Sequence, residues 1–151
     1  MMIGRDARTR AGDRERFATY FDIIDALLPA DRRPIRYVDI GCGVGHSVEL
    51  ASELGWQALG VELSRVAVET ARAAERNVMH PDDWEAAETY DVVSLFETLE
   101  HITEPDPVIA KAAGRLGQGG VMFITVPNRA CFDVSVMKDK CLHVFGGSEN
   151  V

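Results

Sequence analysis

The chain has 151 residues, 46% of them hydrophobic and 26% charged, which is material for one globular domain with a single core. A formal net charge of −8 opposes a phosphate backbone over most of the surface, so nucleic acid is a disfavoured partner even though five arginines between Arg5 and Arg16 make the start locally basic. The apolar runs are far shorter than the ~20 residues that span a bilayer, and the arginine-rich start lacks the apolar stretch of a signal peptide.

In chain order, a polar leader precedes RERFATYFDIIDALL, where Phe17, Tyr20, Phe21, Ile24 and Leu28 recur at helical spacing and Pro29 closes the segment. IRYVDIG is a short apolar run suited to a buried strand. Three alternating glycines follow it, then a helix in which Val44, Val48 and Ala51 share a face and which Gly55 ends. WQALGVEL reads as a second strand, and Ser64 caps the helix RVAVETARAAE. NVMH is a short third strand and YDVVSLF the clearest of all. DPVIAKAAGRL is a helix with Asp106 as cap and Pro107 at its first position, and GGVMFITVPN is the fifth strand. Strand alternating with helix implies a parallel sheet with crossover helices.

In such a sheet a ligand binds at the carboxyl ends of the strands where the order reverses, and VDIGCGVGHS lies in the first strand's loop. Gly41 and Gly43 allow a tight turn with a ligand pressed against main chain, and Gly45 lets the next helix start beside the strand. Glu62, ending the second strand, is placed to accept hydrogen bonds from both hydroxyls of a ribose, although alone it would also suit a solvated strand terminus. An adenosine-containing ligand fits this context. The dinucleotide fingerprint G-x-G-x-x-G would need a glycine at position 46, which is His46, so a nicotinamide dinucleotide is the weaker reading.

VDIGCGVGHS, GVELS and YDVVSLFETLEHITEPDPVIAKAAGRLGQGGVMFITVPNR, in that order, resemble the motifs of class I S-adenosylmethionine-dependent methyltransferases, from about Arg36 to the end of the chain. The resemblance implies a Rossmann-like three-layer α/β sandwich with a mostly parallel sheet. It implies that Asp39 supports the methionyl ammonium, that backbone at Gly41, Cys42, Gly43 and Gly45 lines the amino-acid end, that Glu62 holds the ribose, and that Leu63 lies against one face of the adenine. In HPDDW, Asp82 or Asp83 would meet the adenine amino group, Asp82 being preferred, with Trp84 covering the ring; an N-cap with a solvated acidic turn is the plainer reading of the same residues. Phe96 and Glu97 begin where the family's backbone meets the cofactor.

FETLEHITEP carries most information about the acceptor. Glu97, Glu100 and His101 stand at i, i+3 and i+4, which on one helical turn brings them toward a common face. Resemblance to small-molecule methyltransferases with L-E-H implies that His101 acts as base or shapes the pocket, with Glu100 and the later His143 as further catalytic candidates. Some relatives with E-x-x-E-H and a later histidine bind a divalent metal, so Glu97, Glu100, His101 and His143 form an alternative oxygen–nitrogen metal set, which is not favoured because His143 is distant in sequence from the other three and the motif often occurs without metal. His46 and His80 read as structural and Cys42 as a small residue filling space beneath the loop. Cys42, Cys131 and Cys141 are too few and scattered for a disulfide framework, so reduced thiols and a cytoplasmic location are expected.

The chain stops at Val151, where members of this family continue with a helix and two further strands. The expectation is therefore an incomplete sheet whose fifth strand is an exposed edge, with the sequence either a fragment or covered there by a partner chain or a dimer. Residues 1–34 are expected to be a leader and a helix that either lids the cofactor or packs on the sheet by its apolar face, and residues 35–151 the cofactor-binding domain. The expected activity is methyl transfer from S-adenosylmethionine, leaving S-adenosylhomocysteine, to a small-molecule acceptor at oxygen. The alternatives are a metal-assisted RNA 2′-O-methyltransferase and a non-catalytic cofactor-binding remnant or partner subunit.

Overall fold

The computed structural model describes residues 3–84 and 88–127. His143, Cys131, Cys141 and any strand after the fifth lie outside the described residues.

The apolar runs form five parallel strands, β1 (Arg36–Ile40), β2 (Gln57–Val61), β3 (Val78–Met79), β4 (Tyr90–Phe96) and β5 (Leu116–Thr125), in the spatial order β3-β2-β1-β4-β5. Because β1 is flanked by β2 on one side and β4 on the other, the winding direction reverses above the carboxyl end of β1. Alternation along the strands divides the apolar side chains into two cores. Helices α1 (Ile3–Leu27), α2 (His46–Glu53) and α3 (Arg65–Ala73) close the first, in which Phe17, Tyr20, Phe21 and Ile24 meet Tyr37, Val92, Phe96 and Phe123. Helix α4 (Pro105–Ala113) covers the second, built on Val38, Leu59, Val93 and Leu95. This is the expected Rossmann-like three-layer arrangement.

Four local expectations are corrected. Helix α1 begins at Ile3, not near Arg14, because the polar leader has no apolar period to reveal a helix yet is rich in the good helix formers arginine and alanine. Val44 is in the turn before α2 rather than on its face, since Gly45 takes a left-handed conformation that delays the helix to His46. Helix α4 starts at Pro105, flanked by Glu104, and no side chain caps it; Asp106 is already inside the first turn. Strand β5 starts at Leu116, three residues before Gly119, with an irregular register against the start of β4. Ser64 accepts the Ala67 amide at the head of α3, as its hydroxyl and position suggest. Among the described residues no helix is long and apolar enough to cross a membrane.

Candidate functional site

The carboxyl end of β1 delivers one buried carboxylate. Asp39 is 2% exposed and points to the α1–α2 side of the sheet, where Ser47 of α2 and Ser94 of β4 both donate to it, the latter at 2.8 Å. Ser94 pairs with Asp39 in register and also lies 2.8 Å from the Tyr37 hydroxyl. No cationic side chain pairs with Asp39 among the described residues. Burial pushes its carboxyl up to about 7, against the two serine bonds that favour the ionised form and with a smaller push from Glu62.

Beyond Asp39 the chain bends through Gly41, Gly43 and Gly45, all with positive φ. The three glycines answer to different neighbours. A Cβ at Gly41 would stand 2.5 Å from Thr98 Cγ2, so that side of the bend is filled by the protein itself, contrary to the expectation of a ligand there. A Cβ at Gly45 would stand 2.9 Å from Val78 Cγ2, so the close approach at this glycine is to β3 rather than to the strand that precedes the turn. Nothing lies within 4 Å of a Cβ at Gly43, the open face of the turn. Cys42 tucks its thiol against Gly60 of β2, where it fills space beneath the turn, and burial raises the thiol's pKa.

Glu62 reaches over this open face. Its two oxygens accept the Gly43 amide at 2.9 Å and the Ser64 amide at 2.7 Å. A carboxylate has roughly four acceptor positions, so each oxygen retains capacity for one hydroxyl while the turn stays held. Leu63 beside it is 74% exposed, an apolar surface left bare at the same edge. Asp82 and Asp83, in a 3-10 turn after β3, are exposed and face Arg65 at 2.9 Å and Arg72 at 3.9 Å. His80, mostly buried, accepts the Asp82 amide and so heads that turn.

Trp84 is elsewhere. Its indole donates to the Tyr90 hydroxyl at 3.0 Å and lies under the Arg115 guanidinium, 4.5 Å from the ring centre, within the α4-side core. Tyr90 opens β4 at the amino end of the sheet, so the ring expected to cover an adenine is taken up by the protein's own side chains. A cavity of about 470 Å³ lies at that same amino end, lined by Arg36, Gln57, Asn77 and Tyr90 among others, and not at the glycines.

The carboxyl end of β4 also differs from expectation. Glu97 has φ +49°, its amide donating to both the carbonyl and the hydroxyl oxygen of Thr125, and a short 3-10 turn spans Leu99–His101. A left-handed residue breaks the helical phase, so Glu97, Glu100 and His101 do not share one helical face. Glu100 and His101 are exposed on the short turn. Among the described residues no group of three or more histidine, cysteine, aspartate or glutamate side chains comes together as a metal site; His143 lies outside them. Phe96 is packed in the core against Phe17, Tyr20 and Phe123.

Reading the sequence missed Ser47, Ser94 and Thr98. Ser94 carried a signal, a single hydroxyl inside the buried run YDVVSLF; Thr98 carried none, because its role depends on how Gly41 is bent.

A family model described as methyltransferase domain matches residues 13–145. A ubiquinone biosynthesis O-methyltransferase from Mesorhizobium japonicum is 35% identical over 67% of this chain and 45% of its own length, and one from Parvibaculum lavamentivorans is 32% identical over 77% and 49%. The chain thus spans about half the length of these curated relatives. Among solved structures, an amino pentose methyltransferase from Micromonospora echinaspora involved in calicheamicin biosynthesis, with SAM bound, superposes with a TM-score of 0.67 at 21% identity, covering 85% of this chain and 57% of that one. Sheet order, glycine turn, acidic strand end and sequence match converge on one assignment: the chain belongs to the methyltransferase domain family.

Proposed function

We propose that this chain binds S-adenosylmethionine between the glycine turn and Glu62 and serves a methyltransferase that modifies a small-molecule acceptor at oxygen. The observation that carries this reading is the Glu62 carboxylate held by the Gly43 amide over the open face of the turn, beside the uncompensated Asp39. A ribose diol fits Glu62, and an ammonium is the partner a buried carboxylate without a cation calls for. Leu63 offers an apolar face to the base, and Asp82, in the turn after β3, an acceptor for its amino group. S-adenosylmethionine, when bound, supplies an electrophilic methyl with its own leaving group.

The chain's task is then to align a nucleophile in line with the bond being broken, and such positioning removes on the order of 7–11 kcal/mol from a barrier. An acceptor hydroxyl must lose its proton, and His101, exposed beside the end of β4, is the residue assigned to take it, with Glu100 next to it. Choice of oxygen is supported by the two relatives named as O-methyltransferases. We further assign the chain to the cytoplasm, and the free side of β5, which pairs only with β4 among the described strands, to further polypeptide or a second copy.

Calorimetry with S-adenosylhomocysteine tests the site. Micromolar binding that falls about 100-fold in Glu62→Ala, the loss expected for two charge-assisted hydrogen bonds, supports the reading. Equal binding by both proteins overturns it.

A further inference from the structure

We infer that Arg76 is a positioning residue for the cofactor site: its guanidinium locks the glycine turn in the shape that presents Gly43. The inference rests on the reading of the turn as a cofactor cradle. Arg76 lies between α3 and β3, distant in sequence from the turn, and its side chain is only 9% exposed. Its backbone is itself fixed, the amide donating to Ala71 at the end of α3 and the carbonyl accepting the Val78 amide of β3. From there Nη1 donates to the Val44 carbonyl at 2.8 Å and Nη2 to Glu49 of α2 at 2.9 Å.

The Val44–Gly45 peptide is thereby held at both ends, because the Gly45 amide donates to the Cys42 carbonyl at 2.9 Å. A peptide unit that leads into a left-handed glycine is otherwise free to flip; with carbonyl and amide both engaged, it cannot. The stem of Arg76 completes the fit, since a Cβ at Gly45 would stand 3.4 Å from its Cδ. Packing alone does not account for the residue. A buried guanidinium is costly, and among the described residues its one ionic partner, Glu49, is 43% exposed and its Nε has no hydrogen-bond partner. An apolar side chain would fill the space without those penalties, but would leave the Val44 carbonyl unheld.

Arg76→Met keeps the stem and removes the donors. Calorimetry on the full chain is expected to show S-adenosylhomocysteine binding weakened about tenfold, with Arg76→Lys recovering to within about threefold of the unmodified chain. Amide hydrogen exchange at Gly45, measured without ligand, is expected to quicken at least about tenfold in Arg76→Met while β1 and β4 keep their protection. Unchanged affinity together with unchanged exchange at Gly45 overturns the inference, as does a loss of protection spread evenly over the sheet, which marks a merely structural residue. If Arg76→Met shows no cooperative melt, Glu49→Gln decides: about two- to fourfold weaker binding supports the clamp, and affinity equal to the unmodified chain defeats it. Failure of the unmodified chain to bind defeats the cofactor reading instead, and the exchange measurement still reports on the turn.

Discussion

The carboxyl ends of β1 and β4 lie side by side in the sheet, yet they are built on different terms. Above β1, nearly every polar group is engaged before any ligand arrives: Asp39 by two serines, the Gly43 amide by Glu62, the Val44 carbonyl by Arg76. Above β4, backbone is pinned through Glu97 and Thr98, while the side chains of Glu100 and His101 stand exposed on a three-residue turn. On the proposed reading, the first region is preorganised for one ligand, and the second is a platform whose chemistry depends on what is laid over it. Preorganisation favours affinity by reducing what must be ordered on binding, and it is expected where the ligand is invariant rather than where the acceptor varies.

The strongest challenge to this contrast is at Gly41, where the protein, not a ligand, fills the bend. Gly41→Ala is expected to destabilise the fold by about 2–4 kcal/mol, through overlap with Thr98 as well as positive φ, whereas Gly43→Ala costs only about 1 kcal/mol from φ alone. Thermal or urea melts measure both. Equal losses would mean that Thr98 yields freely and that the turn is softer than its contacts imply.

Next in size is the pH response of Asp39. Its carboxyl is raised from 3.8 to about 7 by burial, so the folded chain retains a proton that the unfolded chain releases near pH 4. Stability therefore falls as pH rises from about 4 to 7 and levels off above, and Asp39→Asn removes that slope. Binding runs the other way: a ligand ammonium favours the ionised form, so affinity for S-adenosylhomocysteine is expected to grow about tenfold between pH 6 and 8 with proton release. Titration in buffers of different ionisation enthalpy reads the proton directly, and a pH-independent affinity would separate Asp39 from the ligand.

The smallest effects sharpen the boundary between the two regions. Trp84→Phe and His101→Gln are each expected to leave S-adenosylhomocysteine affinity within about twofold, the first because its ring belongs to the α4-side core, the second because it serves the acceptor. A tenfold loss in either would move that residue into the cofactor site.

Much of the β1 region was legible as a string of residues, because the apolar run and the glycines are contiguous and the strand–helix–strand pattern brings the end of the next strand, with Glu62, beside them. The β4 region was misread for a specific reason. E-x-x-E-H has the spacing of a helical turn, but the Glu97 amide is drawn into the left-handed region by Thr125, which comes from a different strand. Trp84 illustrates the same limit: next to two aspartates in sequence, it is claimed by Tyr90 and Arg115.

Periodicity and local backbone preference are properties of neighbouring residues, and they determined the alternation of strands and helices and the bend after β1. Which glycine answers to a side chain and which to open space, the partners that hold Asp39, and the reach of Arg76 to Val44 were decided only when separate segments packed. Those contacts join residues that lie 8 to 57 positions apart in the chain, and no local preference encodes a distance that the crossover connections alone bring about.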